Sequence, residues 1–305
     1  MENYKKYQNS ICEIPSFLNK YLELPVMQRL KDISLLCGMD YASPNMYDFA
    51  FYISRYDHSL NVALITWKLT QNKTETLAAL FHDISTPVFS HVIDYMNKDY
   101  IEQESTEKMI VDVLLTSRDI IKYLKEDNVN IADILDFKKF STVDLPRPSL
   151  CADRLENLIG VGMAWVQDLS YEEAQHIIAS MYLTTNEKGQ KEIAVSSRLI
   201  GEKLVDINNK INTLTHTDED TYMMLLLADI VKKSIEEGLF IYEDLYRMTE
   251  HRYLALLERN LSTNSDLADM YHLWKTVEPP VPKQDITIKE LTLNPLVNGK
   301  RLYTK

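Results

Sequence analysis

The chain reads as an all-α protein with room for a few short strands. Three observations lead there: apolar residues recur at helical spacing, capping signals open several of those stretches, and only 7 of 305 residues are glycine. The first clear helix starts at His58, with Val62, Ile65, Trp67 and Leu69 at roughly helical intervals up to Thr70. A second runs through Leu77, Ala78, Leu80 and Phe81 to His82. It has to end or distort there if Asp83 is to face the same way as His82, and Pro87 fits such an ending because proline disfavours helix at the residue before it. Thr86, before Pro87, has the character of an N-cap for a following helix. Asp153 belongs to a third helix.

Beyond that, Ser170-Tyr171-Glu172-Glu173 is a capping box ahead of a helix through Met181. Asn186 to Gly189 forms a turn, and Ile193-Ala194-Val195 is a short strand or the approach to a helix. Thr217 to Asp220 gives an acidic first turn to a helix that should stop at Gly238. Another helix spans about Glu250 to Arg259. Pro279, Pro280 and Pro282 break the helical region, and the alternation at Ile286, Ile288, Leu291 and Leu293 predicts a small strand or extended arm. The expected organisation is an N-terminal segment (1–24), a core (25–165), a helical C-terminal lobe (166–278) that walls a pocket or forms a homodimer contact, and a tail (279–305).

Composition narrows the function. A 45% hydrophobic content allows a sizeable core, and neither G-x-G-x-x-G nor a P-loop string occurs. With 33 Lys plus Arg against 45 Asp plus Glu, the formal charge of −12 argues against binding extended nucleic acid, though not against a nucleotide in a locally basic pocket. Cys12, Cys37 and Cys151 are too scattered for a disulfide framework or a zinc cluster, so a cytoplasmic protein is expected. Residues 1–20 lack the apolar stretch of a signal peptide, and no apolar run is long enough to span a membrane.

His58, the adjacent pair His82-Asp83 and Asp153 supply two imidazoles and two carboxylates. Such a set suits one divalent cation with positions left open for water and substrate. Mixed nitrogen and oxygen ligation favours Mn, Fe, Ni, Co or Zn over Mg. A His-Asp pair alone is a weak signal, and its setting sharpens it.

The strings Arg55-Tyr56-Asp57-His58-Ser59-Leu60 and His82-Asp83-Ile84-Ser85-Thr86-Pro87-Val88-Phe89-Ser90-His91 are similar to R-F-E-H-S-L and H-D-x-G-H-x-P-F-S-H. Gln28-Arg29-Leu30 is similar to a Q-R-L element. This ordered series, reaching about Asn157, resembles the HD superfamily of metal-dependent phosphohydrolases, especially its deoxynucleoside triphosphate triphosphohydrolase-like branch. The resemblance implies an HD helical core in which His58, His82, Asp83 and Asp153 hold the metal. It implies that Arg55 contacts substrate phosphate, Gln28 the sugar, and His91 and Asp94 the surroundings of the reacting phosphate, with Arg154 as the basic residue after the ligand Asp. The expected activity is hydrolysis of a nucleotide or related small phosphate ester by metal-activated water.

Two positions depart from the branch. Thr86 stands where it has a histidine, and Gln103 stands where it has the histidine of a catalytic His-Glu pair. Glu104 takes over as acid or base if burial raises its pKa. The alternative is a non-catalytic HD-type nucleotide-binding regulatory protein, which the replaced histidines favour and the complete ligand quartet opposes. His176, His216, His251 and His272 belong to no recognisable motif.

Overall fold

A computed structural model describes residues 2–304. The fold is built mainly of helices, with one four-stranded sheet among the described residues. At its centre lies the helix Arg55–Thr70, whose residues His58 to Thr66 are all buried. A helix that meets protein on every side shows no solvent-facing polar stripe; its polar residues His58, Ser59, Asn61 and Thr66 are buried along with its apolar ones. Ser54 caps it by accepting from the Asp57 N–H at 3.0 Å, and Gln71 ends it in the left-handed region.

The helices Lys73–Phe81 and Ala152–Ala164 pack against this central helix. A third neighbour is the N-terminal helix Glu2–Ile11, which also packs on Tyr171–Ser180. Tyr4, Tyr7, Gln8 and Ile11 form its buried face. The spacing of these residues is helical, yet tyrosines and a glutamine carry little hydrophobic signal, so the sequence reading passed over it.

The sequence also left two longer helices unassigned, Arg198–Thr215 and Ser265–Thr276. The expected ones stand where their caps put them. Ser170 forms the full capping box for Tyr171–Ser180, Thr217 accepts from the Asp220 N–H at 3.1 Å to start Asp218–Glu236, and Gly238 closes that helix at φ 75°. The helix Glu250–Asn260 follows. The expected N-cap role of Thr86 does not hold: no helix begins at Pro87, because Phe89 and Ser90 adopt φ of 60° and 49° and turn the chain tightly instead. The ring of Phe89 lies where a Cβ on Gly38 would sit, so that close approach needs glycine.

Strand β1 (Met181–Thr185) leaves the preceding helix directly and pairs antiparallel with β2 (Lys191–Val195), Leu183 opposite Ile193. The tail returns to this hairpin. Its β3 (Leu296–Val297) lies parallel to β2, and β4 (Lys300–Arg301) closes the edge. Arg301 donates to the buried carboxylate of Glu192 at 2.5 Å, which anchors the tail in the sheet.

Before reaching β3, the tail runs extended across the molecule. The backbone N–H of Lys289 donates to the Tyr100 carbonyl at 3.1 Å, that of Leu291 to Asn212 Oδ1 at 2.7 Å, and Arg147 donates to the Thr292 carbonyl at 3.0 Å. Each partner comes from a different part of the chain, so the segment straps the lobe to the core. No helix among the described residues is long and apolar enough to cross a membrane.

Candidate metal centre

His58 sits in the first turn of the central helix, and His82 follows directly on the last residue of Lys73–Phe81. The helix stops there and residues 82–85 turn, which swings Asp83 back beside His82 instead of a hundred degrees around a continuing helix. Ligand atoms of His58, His82 and Asp83 accordingly lie within 4.8 Å of one another. Asp153, in the first turn of the third helix, approaches from the opposite wall with its side chain 38% exposed.

The separations are close to those that one cation would impose, the carboxylates standing slightly wide. His58 Nε2 lies 3.3 Å from His82 Nε2, 3.8 Å from Asp83 Oδ2 and 3.0 Å from Asp153 Oδ1. His82 Nε2 lies 3.6 Å from Asp83 Oδ2 and 3.7 Å from Asp153 Oδ1. Ligands held about 2.1 Å from one ion and disposed at octahedral or tetrahedral angles stand roughly 3.0 to 3.5 Å apart.

The proton positions point the same way. His58 Nδ1 donates to Glu156 Oε2, and His82 Nδ1 donates to the Ala79 carbonyl at 2.7 Å. Nδ1 of each ring is thereby occupied, so Nε2 is the atom that each ring turns into one small space, where a cation would take the place of the proton that His58 holds against Asp153. A carboxylate or backbone carbonyl behind each imidazole is the usual support of a metal-binding histidine.

Electrostatics prepare the site. Burial lowers the pKa of His58, but Glu156 and Asp153 outweigh it and raise the metal-free ring to about 10. Burial likewise opposes ionisation of Asp83, yet the Arg55 guanidinium and the two imidazoles hold it well below the usual carboxylate range. The donor set is thus negative before a cation arrives.

Residues 55–158 match the family profile described as the HD domain, which spans all four of these donors. This segment is an HD domain. The uncharacterized protein YdhJ of Bacillus subtilis is 30% identical over 105 residues, which cover 34% of this chain and 32% of YdhJ. A metal-dependent phosphohydrolase of Cordyceps militaris, cns2, is 29% identical over 129 residues, 42% of this chain and 36% of its own. The chain spans about a third of the length of these curated relatives. A hypothetical protein from Aquifex aeolicus shares the fold: its crystal structure superposes with a TM-score of 0.57 at 15% identity, over 85% of this chain and 72% of that one.

Around the HD domain's donors opens a cavity of about 660 Å³, within the usual range for a small-molecule site. Arg55, His91, Gln103, Glu104 and Arg154 line it, as do Lys138 and Arg147. Arg55 is buried and already engaged: Nη1 donates to Asp83 Oδ2 at 2.8 Å and Nε to Ser90 Oγ at 3.2 Å, so Nη2 is the donor left for a ligand. His91 Nδ1 meets Asp94 Oδ2 at 2.9 Å, which leaves Nε2 toward the cavity. Asp94 itself is fully buried behind His91 and accepts the Ser105 N–H at 2.8 Å.

Three expected contributors are placed differently. The burial invoked for Glu104 is missing, because its side chain is exposed at the cavity rim. Gln28 lies outside the cavity wall, its amide donating to the Leu22 carbonyl at 2.6 Å across a tight bend. Arg154 donates Nη2 to the Leu145 carbonyl at 3.0 Å and Nη1 to the Ser149 carbonyl, which bends its guanidinium toward the 145–149 loop.

Glu156 is the main residue that the sequence reading missed. It is fully buried, accepts from His58, and on Oε1 accepts from Tyr4 OH at 2.7 Å and from Asn61 Nδ2 at 3.0 Å. The signal was present as a carboxylate three positions after Asp153, which puts both on one helix face. Tyr4 and Asn61 gave none.

Proposed function

We propose that this protein is a metal-dependent phosphohydrolase acting on a nucleotide or a related small phosphate ester. The observation that carries the reading is the pair of supported imidazoles that aim both Nε2 atoms, with Asp83 and Asp153, into one end of a cavity also lined by Arg55, Lys138 and Arg147. The HD domain and the name of the Cordyceps militaris relative support it.

His58, His82, Asp83 and Asp153 would hold a divalent cation, which would supply Lewis-acid polarisation of a phosphoryl oxygen and a lowered pKa for a water; Mn, Fe, Ni, Co or Zn suits the donors better than Mg. The chain's own groups do the rest. Arg55 Nη2 holds a phosphate oxygen by a charge-assisted hydrogen bond, and the Asp83 contact fixes the guanidinium in the orientation to do so. Asp94 keeps the proton of His91 on Nδ1, so Nε2 is the atom that takes a proton from the attacking water and returns it to the departing oxygen.

The narrower triphosphohydrolase-like reading has the ordered motif series in its favour and Thr86 and Gln103 against it. Gln103 lines the cavity where the branch has a histidine, which supports the second reading, a non-catalytic nucleotide-binding regulator. One experiment separates them: elemental analysis of the purified protein together with phosphate, pyrophosphate and triphosphate release from a nucleotide and phosphomonoester panel. Bound metal with release from at least one ester is expected. Stoichiometric metal with no turnover of any ester would transfer the case to the regulator.

A further inference from the structure

Six carboxyl groups are buried among the described residues: Asp83, Asp94, Glu156, Glu192, Asp220 and Glu250. Five of them face a cation, a histidine or two backbone N–H groups. Asp83 has Arg55, Asp94 has His91 and the Ser105 N–H, Glu156 has His58, Glu192 has Arg301, and Glu250 accepts the N–H groups of Ser34 and Phe89 at 3.1 and 2.9 Å. Asp220 is the exception.

The Asp220 carboxylate is 8% exposed, lines the same cavity as the metal donors, and has one hydrogen bond, from Tyr47 OH to Oδ1 at 2.8 Å. Among the described residues no Lys or Arg offsets it: burial pushes its pKa up to about 7, with only the Tyr47 bond acting the other way. A buried carboxylate left this way is costly unless something else pairs with it. The cavity that Asp220 lines is also walled by flat rings, one of them its partner Tyr47. Tyr47 and Phe49 are stacked at 5.1 Å and 17°, and Trp165 stands edge-on to Phe49 at 5.7 Å. All three line the cavity.

We infer that Asp220 is the specificity-determining residue of this cavity, accepting N–H donors from an amino-bearing heteroaromatic ring held against Tyr47, Phe49 and Trp165. Such a ring brings together the two features that the wall lacks, a π-face for the aromatic side chains and a donor edge for the open carboxylate oxygen. An alkylammonium group would satisfy the charge and could lie over one ring face by cation–π attraction, but it has no planar surface to stack along Tyr47 and Phe49, so it is the rival ligand that the test separates. Selectivity of this kind is steep, because a ligand without the donor buries the carboxylate unpaired. The ring is the part of the substrate remote from the phosphate, so the inference rests on the nucleotide reading above.

The test measures calorimetric binding of unphosphorylated nucleosides to the full chain. Adenosine and guanosine carry N–H donors on the ring, whereas purine riboside carries none. The amino-bearing pair should bind at least about tenfold more tightly than purine riboside. Asp220→Asn should erase the difference, since Tyr47 retains its oxygen and the amide NH₂ is turned on the ligand's donors, while metal content stays at the native level. Equal affinity for all three nucleosides in the native protein would overturn the inference. So would binding of ethanolamine, an alkylammonium that like the nucleosides carries no phosphate, in preference to any nucleoside. Nucleoside discrimination without phosphate release from any ester would remove the hydrolase reading and leave the role of Asp220 standing; phosphate release indifferent to the ring's amino group would do the reverse.

Discussion

Replacing Glu156 by Gln should cost the protein most of its metal affinity without touching a ligand. The hydrogen bonds around it run in one direction. Gln8 Nε2 donates to Asn61 Oδ1 at 2.8 Å, which turns Asn61 Nδ2 toward Glu156 Oε1 at 3.0 Å, and Tyr4 OH donates to the same oxygen at 2.7 Å. A Gln at 156 must keep its oxygen on that side, so its NH₂ faces His58 Nδ1. Two donors cannot share that contact, and the imidazole proton moves to Nε2, the atom that should carry the free lone pair. Loss of such support behind a metal-bound histidine costs about 10- to 100-fold in affinity, or roughly 1.4 to 2.7 kcal/mol. Titration of chelator-stripped protein with Mn²⁺ or Zn²⁺ in a calorimeter measures it, with circular dichroism to show that the variant is folded. Tyr4→Phe is the graded control: Glu156 keeps its contacts with His58 and Asn61, so the loss should stay below about tenfold. A folded Glu156→Gln protein that binds metal as tightly as the native one would refute the tautomer argument.

Three further outcomes are expected. His82→Ala should abolish stoichiometric metal in elemental analysis and also the rise in melting temperature that added metal gives the native protein, since binding to the folded state is linked to stability; an unchanged rise would remove His82 from the centre. His91→Gln should lower turnover by about a hundredfold or more at unchanged metal content, whereas Glu104→Gln, on the exposed rim, should stay within about threefold; the opposite order would make Glu104 the proton-transfer group, and Asp94→Asn should follow His91 because it orients that ring. Burial raises the Glu250 carboxyl to about 8, above its unfolded value, so its contribution to stability is complete below about pH 4.3 and is lost as pH rises through 8, on the order of a few kcal/mol. Urea midpoints should fall between about pH 5 and pH 9 in the native protein and fall less in Glu250→Gln; equal slopes would show that Glu250 titrates as it does in the unfolded chain.

The ligands were legible because each lies in a local string. His58 opens one helical run and His82-Asp83 follows the end of another, both with a periodicity that can be counted, and Pro87 signals that the second helix does not continue. The supports were not, because they depend on tertiary approach: Tyr4 reaches Glu156 across 152 residues, and nothing local to either predicts the pairing. Glu104 illustrates the same limit in reverse. Its position matched a functional slot, but the role assigned to it required burial, which only packing decides. Asp220 was read as one of three acids favouring a helix N-terminus, which describes Asp218 and Glu219 as well and does not reveal which of them turns inward. Strand β1 was hidden because Met181 to Thr185 continues a capped helix with no break residue between them.

The strap at Lys289, Leu291 and Thr292 also imposes an order in time. Residues 55–158 hold every group proposed to touch the metal, yet Ile288, Lys289 and Leu291 form part of the cavity wall. On a ribosome adding about 5 to 20 residues per second, roughly 6 to 26 seconds separate the emergence of the domain from that of its last wall. During that interval the donor side chains are present, while the wall supplied by Ile288, Lys289 and Leu291 is not. One side of the cavity is therefore completed last, by a segment that lies outside residues 55–158.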